Sequence, residues 1–259
     1  ENISISGSVI ATKAFPCNPN LLDNWYFGNP VNQRGASGTI STAGYFFDRW
    51  KLVSGSVTIN SGGIVLNGTI AQVLEYAAGQ TVTATVLTPD GVTDVTPAYD
   101  DETKTFTVTT QGKTIRAVKL ELGSQQTLAH QESGVWVLNE IPGYGEQLRR
   151  CQRYLFAANS SSYPYACVGS GYISSDGTEA IIIIPTPVSL KKLPVCEIKG
   201  VLRVDTSCGE IVTLTGAAIY NIGSGVVCIH GKFTGTATAK APCYALLDTG
   251  DNLLLSADL

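Results

Sequence analysis

Trp25, Tyr26 and Phe27, with Tyr45, Phe46, Phe47 and Trp50, are the densest aromatic group of the chain, and Asp48 and Arg49 lie inside it. Aromatic faces left in the open grip the apolar faces of sugar rings, while a carboxylate and a guanidinium beside them supply hydrogen bonds to hydroxyls. Trp25, Tyr45, Asp48, Arg49 and Trp50 are therefore candidate ligand contacts. The competing reading is a core, because adjacent residues of a strand point to opposite faces and about half of such a group must be buried. A second candidate set is Tyr163, Tyr165 and Tyr172, which sit among Ser, Gly and Asn in and just after residues 159–165. That composition suits an adaptable recognition loop, or a plain exposed connection.

Reactive chemistry has less support. His130 and His230 are the only histidines, neither belongs to an H-E-x-x-H pair, and no G-x-S-x-G elbow occurs. Gly112, Lys113 and Thr114 resemble the end of a phosphate-binding loop, but Thr107 stands where its first glycine belongs, and the context is a strand. Asp23, Asp48, Glu75, Asp90, Glu132 and Glu140 are available as a hydrolytic carboxylate pair, whose required separation is spatial. No long coil repeat of the depolymerase kind is visible. The expectation is a protein that is not an enzyme, with no cofactor and no metal site.

Composition bounds the rest. The 259 residues are 44% hydrophobic and only 15% charged, enough apolar material for packed cores. A formal net charge of −4 argues against a nucleic-acid partner. No apolar run reaches the length of a membrane-spanning helix, so no membrane insertion is expected. Seven cysteines without any C-x-x-C pair read as reduced, mostly buried thiols of a protein assembled in cytosol.

The elements that must position these residues are strands. Short alternating runs at 54–60, 81–87, 103–109 and 113–122, separated by Gly, Asn and Asp, predict a half-buried sandwich of jelly-roll type. A second block of strands is expected near 180–184, 195–204, 211–220, 226–233, 244–247 and 253–255. Between them residues 145–157 read as the one helix, with Leu148, Cys151 and Leu155 on a single stripe suited to docking or to self-association. The expected fold is all-β: two β-sandwich domains in series joined by a short α-helix. The boundaries fall at 1–128 for the proximal sandwich, 129–156 for the linker strand and helix, and 157–259 for the distal sandwich head.

Four stretches carry a family resemblance. NLLDNWYFGNPVNQRG at 20–35 and GYFFDRW at 44–50 resemble the start of a carbohydrate-binding-module-like sandwich found in tail-fibre and receptor-binding proteins of phages and prophages of gut Firmicutes. IRAVKLELGSQQTL at 115–128 is similar to its closing strand, and LRRCQRY at 148–154 to the helix that links it to a distal domain. The distal block resembles the family loosely, through IIIIPTPV at 181–188 and KLPV at 192–195. The residues before Leu21 resemble the end of an upstream strand and linker, so a longer parent chain is expected. The resemblance implies a trimeric fibre tip in the virion tail, assembled in the bacterial cytoplasm. Its partners would be bacterial surface polysaccharide and other tail proteins. The alternatives are a passive baseplate connector and a wall-polysaccharide hydrolase.

Overall fold

Apolar residues that alternate with polar ones give each strand one face to bury, and two groups of strands do so around two separate cores. A computed structural model describes residues 17–92, 96–159 and 165–258; the expected upstream strand at 3–10 and Tyr163 lie outside them. Among the described residues nineteen strands accompany one helix, so the chain is all-β.

The proximal block contains β1 (Thr39–Ile40), β2 (Gly44–Phe47), β3 (Trp50–Asn60), β4 (Gly63–Val73), β5 (Val82–Leu87), β6 (Thr96–Asp100), β7 (Thr105–Ile115) and β8 (Ala117–Leu122). One antiparallel sheet runs β1-β3-β4-β7-β6, with β2 added to β3, and β5 pairs with β8 in a second. Residues 21–27 lie along β8, held by Leu21 N to Leu120 O (2.8 Å), Val118 N to Trp25 O (3.0 Å) and Phe27 N to Arg116 O (2.8 Å). Leu52, Ile70 and Phe106 from the larger sheet and Val86, Val118 and Leu120 from the smaller one share a single buried cluster. Gly55 and Gly68 face each other across β3 and β4 at positive φ; a Cβ on Gly55 would stand 2.0 Å from Asn67 O, so the strands can approach only because both side chains are absent.

After β8 come the hairpin β9 (Ala129–Glu132) and β10 (Val135–Leu138), turned by Ser133 and Gly134 at positive φ, and then α1 (Tyr144–Cys151). The helix is shorter than residues 145–157. Leu155, expected on its stripe, instead opens β11 (Leu155–Asn159), which pairs from Leu155↔Ser256 to Asn159↔Asn252. Five residues of strand pairing outweigh the weak helical preference of a segment this short.

The distal block adds β12 (Ala166–Ile173), β13 (Glu179–Pro185), β14 (Val195–Lys199), β15 (Leu202–Thr206), β16 (Ile211–Gly223), β17 (Val226–Phe233), β18 (Pro242–Leu247) and β19 (Asn252–Ser256). Here the expectation of a second sandwich is corrected: β12-β13-β17-β16-β15-β18 close into a barrel, and β11-β19-β14 form a small separate sheet. The physical reason lies in the bends. Register shifts at Leu214/Gly216 and Ile219/Asn221 in β16, and at Cys167/Gly169 in β12, curve the strands until the last meets the first, which removes the open edges a sandwich leaves. Ala180, Ile182 and Ile184 point into this barrel while Ile181 and Ile183 point out of it.

The cysteines also differ from expectation. All seven are free, but only Cys151 and Cys243 are buried, while Cys17, Cys167 and Cys208 are exposed. Burial pushes the Cys243 and Cys196 thiols up to about 11.

Gln33 joins the blocks. Its backbone N–H donates to Asp48 Oδ1 (2.9 Å), its Nε2 to Asp48 Oδ2 (2.6 Å) and to Leu155 O (2.7 Å), and its Oε1 accepts from Ala157 N (3.3 Å). Arg34 forms an ion pair with Asp258 beside it. Burial raises the Asp48 pKa from 3.8 to about 6, against the opposing Gln33 hydrogen bonds and the charge of Arg34. A carboxyl with a higher pKa folded than unfolded binds protons more tightly in the fold. Its contribution is therefore fully favourable below about pH 4 and is lost as pH rises through about 6, by about 3 kcal/mol in all. Unfolding free energy followed from pH 4 to pH 7 is expected to decline less steeply in Asp48→Asn than in the parent; parallel slopes would refute this account of Asp48.

Candidate functional site

Burial separates the sequence-predicted contacts. Trp25, Asp48 and Trp50 are buried, with Trp50 fully inaccessible, so none of the three presents a surface to a ligand. Trp50 packs edge-on against Phe27 and Phe106 and donates from Nε1 to Asn24 O (2.8 Å). Tyr45 is half-buried beneath the Arg34 guanidinium, 5.0 Å from its ring centre. Tyr165 and Tyr172 are exposed, but Tyr165 precedes β12 and Tyr172 lies near its far end, seven residues or roughly 20 Å along the chain, so they cannot grip one sugar ring together. The oligomerisation stripe is likewise corrected. Cys151 and Leu155 are fully covered by their own chain, and only Leu148 is half-buried.

Arg49 is the exception. It occupies the two-residue turn between β2 and β3 at φ 71°, an uncommon backbone state for a side chain of this size, and is only 2% exposed. It nevertheless lines a cleft of about 290 Å³ where the proximal block meets α1 and the segment after it. The lining includes Asp23, Arg49, Glu75, Tyr76, Arg150, Arg153 and Tyr154.

Each of these side chains is held from elsewhere. The Asp23 backbone exchanges hydrogen bonds with the buried Gln72 amide, at 2.7 and 2.8 Å. The Asp23 carboxylate receives Arg49 Nε (3.2 Å) and Arg150 Nε (2.7 Å). Arg49 also donates from Nη2 to Val73 O, and its guanidinium lies 3.6 Å from the centre of the Tyr154 ring. Helix α1 docks through Gln147, whose Oε1 accepts from Asn24 N (2.7 Å), and so carries Arg150 to the cleft wall. Glu75, just past β4, takes Arg153 Nη2 (2.7 Å) and Lys191 Nζ (3.3 Å). Burial alone would push the Glu75 carboxyl up, but the Tyr154 hydroxyl, Lys191 and Arg153 outweigh it and hold the carboxyl below the usual range. Burial raises the Tyr154 phenol in turn. At the rim Tyr76 is 71% exposed, with Lys191 Nζ 5.3 Å from its ring centre.

Chemically the cleft offers several fixed N–H donors, two carboxylate acceptors and one open aromatic face, an arrangement suited to a small polar ligand or one unit of a longer chain. Of the six carboxylates open to a hydrolytic role, only Asp23 and Glu75 meet in it. Sequence reasoning singled out Arg49, Asp23 and Glu75 but not Tyr76, Arg150, Arg153 or Tyr154 beside them. The signal was present in the arginines of residues 148–154, which lie off the Leu148, Cys151 and Leu155 stripe; with Gln147 docked on Asn24, Arg150 meets Asp23.

The features together define an all-β protein with an arginine-lined cleft where the proximal β block meets the helix and the segment after it. Comparison of the chain with protein-family models, curated proteins and solved structures found no match.

Proposed function

We propose that this chain is a receptor-binding or tail-fibre component of a bacteriophage-like particle, which attaches to bacterial surface carbohydrate without cleaving it. The observation that carries the binding part is the cleft: preset donors and acceptors around an opening flanked by the exposed Tyr76 ring suit hydroxyl recognition with ring stacking. Binding is favoured over hydrolysis by Glu75: a general acid must keep a proton near neutral pH, whereas the Tyr154 hydroxyl, Lys191 and Arg153 hold this carboxyl below the usual range. Both oxygens of Asp23 are taken up by Arg49 and Arg150.

The phage assignment rests on the four stretches of sequence resemblance. The two sheets that close over one proximal core support reading that block as a carbohydrate-binding-module-like sandwich of jelly-roll type. The partners in this reading are surface polysaccharide and other tail proteins, in a homotrimer whose combined sites strengthen attachment by roughly 10² to 10⁴. Ile141 and Tyr144 at the start of α1 are exposed and are better placed for that contact than Cys151 or Leu155.

The test is binding of the purified protein to isolated cell-wall polysaccharides, with Tyr76→Ala as the probe of the cleft. The variant is expected to bind about tenfold more weakly, equivalent to about 1.4 kcal/mol, with its melting temperature unchanged because the ring is exposed. Equal affinity would remove the cleft from the reading. Failure of the parent to bind any wall polysaccharide would leave the passive connector in its place.

A further inference from the structure

We infer that the cleft takes an anionic unit, a carboxylate-bearing or phosphate-bearing residue of the surface polymer, rather than a neutral sugar; this rests on the attachment reading above. The first ground is charge. Arg49, Arg150, Arg153 and Lys191 converge on Asp23 and Glu75, four cations against two carboxylates, and the buried Asp48 next to Arg49 offsets only part of this excess. This local excess sits in a chain whose formal net charge is −4. A partly enclosed cleft with low-dielectric walls focuses such a field on whatever enters.

The second ground is the donor inventory. A guanidinium carries five N–H donors. Arg150 and Arg153 each use one nitrogen in an ion pair, and their remaining donors have no hydrogen-bond acceptor among the described residues. Arg49 Nη1 is inaccessible, as is the Glu75 Oε1 that Arg153 and Lys191 face, so the donors open to a ligand are those of Arg150 and Arg153. Planar guanidinium forks match the paired oxygens of a carboxylate or phosphate, which accept without offering competing donors, whereas a neutral sugar hydroxyl brings a donor with every acceptor.

The third ground is accessibility. The side chains of Arg150 and Arg153 are 37% and 45% exposed, so their free donors can reach an incoming group without rearrangement of the core. Asp23 and Glu75 fix the other side of each arginine, which reduces the ordering needed on binding. The exposed Tyr76 ring is left for the sugar body of the same unit.

The experiment is calorimetric titration of the full chain at low ionic strength with three probes: an oligogalacturonate, the same oligomer fully methyl-esterified, and an oligo(glycerol phosphate). A charged probe is expected to bind at least tenfold more tightly than the methyl ester, and the advantage should shrink as salt is raised. The ratio between oligogalacturonate and oligo(glycerol phosphate) separates the carboxylate source from the phosphate source. In an Arg150→Gln, Arg153→Gln double variant that melts as the parent does, the preference for charge is expected to vanish. If that variant does not fold, the comparison of the oligomer with its methyl ester on the unaltered chain still decides. Equal binding of acid and ester, or a preference undiminished in the folded double variant, overturns the anionic assignment. Binding of neutral wall polysaccharides alone overturns it too, but leaves the attachment reading standing. Absence of binding to every wall polysaccharide and every probe overturns both.

Discussion

Trp50→Ala is expected to destabilise the proximal block by about 3–5 kcal/mol, the usual range for deleting a large buried aromatic ring. The ring is fully inaccessible, contacts Phe27 at a centroid distance of 5.2 Å and Phe106 at 6.2 Å, and sits in the cluster common to both proximal sheets. Truncation opens a cavity and also removes the donor that Asn24 O accepts from Trp50 Nε1. The loss should spread, because the Asn24 side chain ties Val31 to the Asp48 turn and its backbone N–H holds Gln147 of the helix. Trp50→Phe keeps most of the volume and loses only the hydrogen bond, so its cost should be clearly smaller. Denaturant unfolding followed by tryptophan fluorescence of Trp25 and Trp136 reports the midpoint in both variants. A Trp50→Ala protein of parental stability that had lost glycan binding would refute the core role and restore Trp50 as a ligand contact.

Why Trp50 reads either way in sequence explains much of what was and was not legible. Periodicity shows that residues alternate, and it placed β3, β5, β8 and most distal strands within a few positions of where they run, but it broke β7 at Gln111 and Gly112 and left out β4. It does not show which faces close on which. Ile181 and Ile183 share a run with Ile182 and Ile184, yet only the second pair enters the barrel, and nothing local to the run announces closure. The stretch at 20–35 supplied Trp25 as a candidate contact, while its Asn and Gln residues carried no assigned role. Its polar side chains instead hold backbone in place: Asn20 bridges Leu22 N, Leu120 N and Val118 O, and Asn24 and Gln33 tie one loop to another. The cleft was the least legible part. Its residues come from the 20s, the 40s, the 70s and the 150s, and Arg150 faces Asp23 only because Gln147 docks on Asn24.

Lys119 was equally illegible, and its loss is as costly as that of Trp50. In the sequence, Lys119 and Glu121 mark the polar face of an alternating strand, but on β8 both side chains are wholly inaccessible. Residues 17–27 and the segment after β8 cover that face. Lys119 Nζ donates to Thr127 Oγ1 (3.0 Å) and lies 3.9 Å from Glu121 Oε2 and 3.8 Å from Glu140 Oε1; Glu121 in turn accepts from Thr127 N (2.7 Å) and the Thr127 hydroxyl. Desolvating two such groups costs several kcal/mol each, so the pair adds little net stability, yet neither partner can be left alone. Lys119→Met is expected to cost about 3–5 kcal/mol by leaving the Glu121 carboxylate buried with only Thr127 to serve it. Glu140 is 43% exposed and can turn to water, so it does not share the penalty. Adding Glu121→Gln should recover most of the loss. The glutamine carbonyl can still accept from Thr127 N, its amide can donate to the Thr127 hydroxyl, and no buried charge remains. Urea unfolding of the parent, both single variants and the double variant therefore closes a cycle with a coupling of about 2–3 kcal/mol. If the two single costs simply add in the double variant, Lys119 and Glu121 do not depend on each other, and the face they occupy is wet.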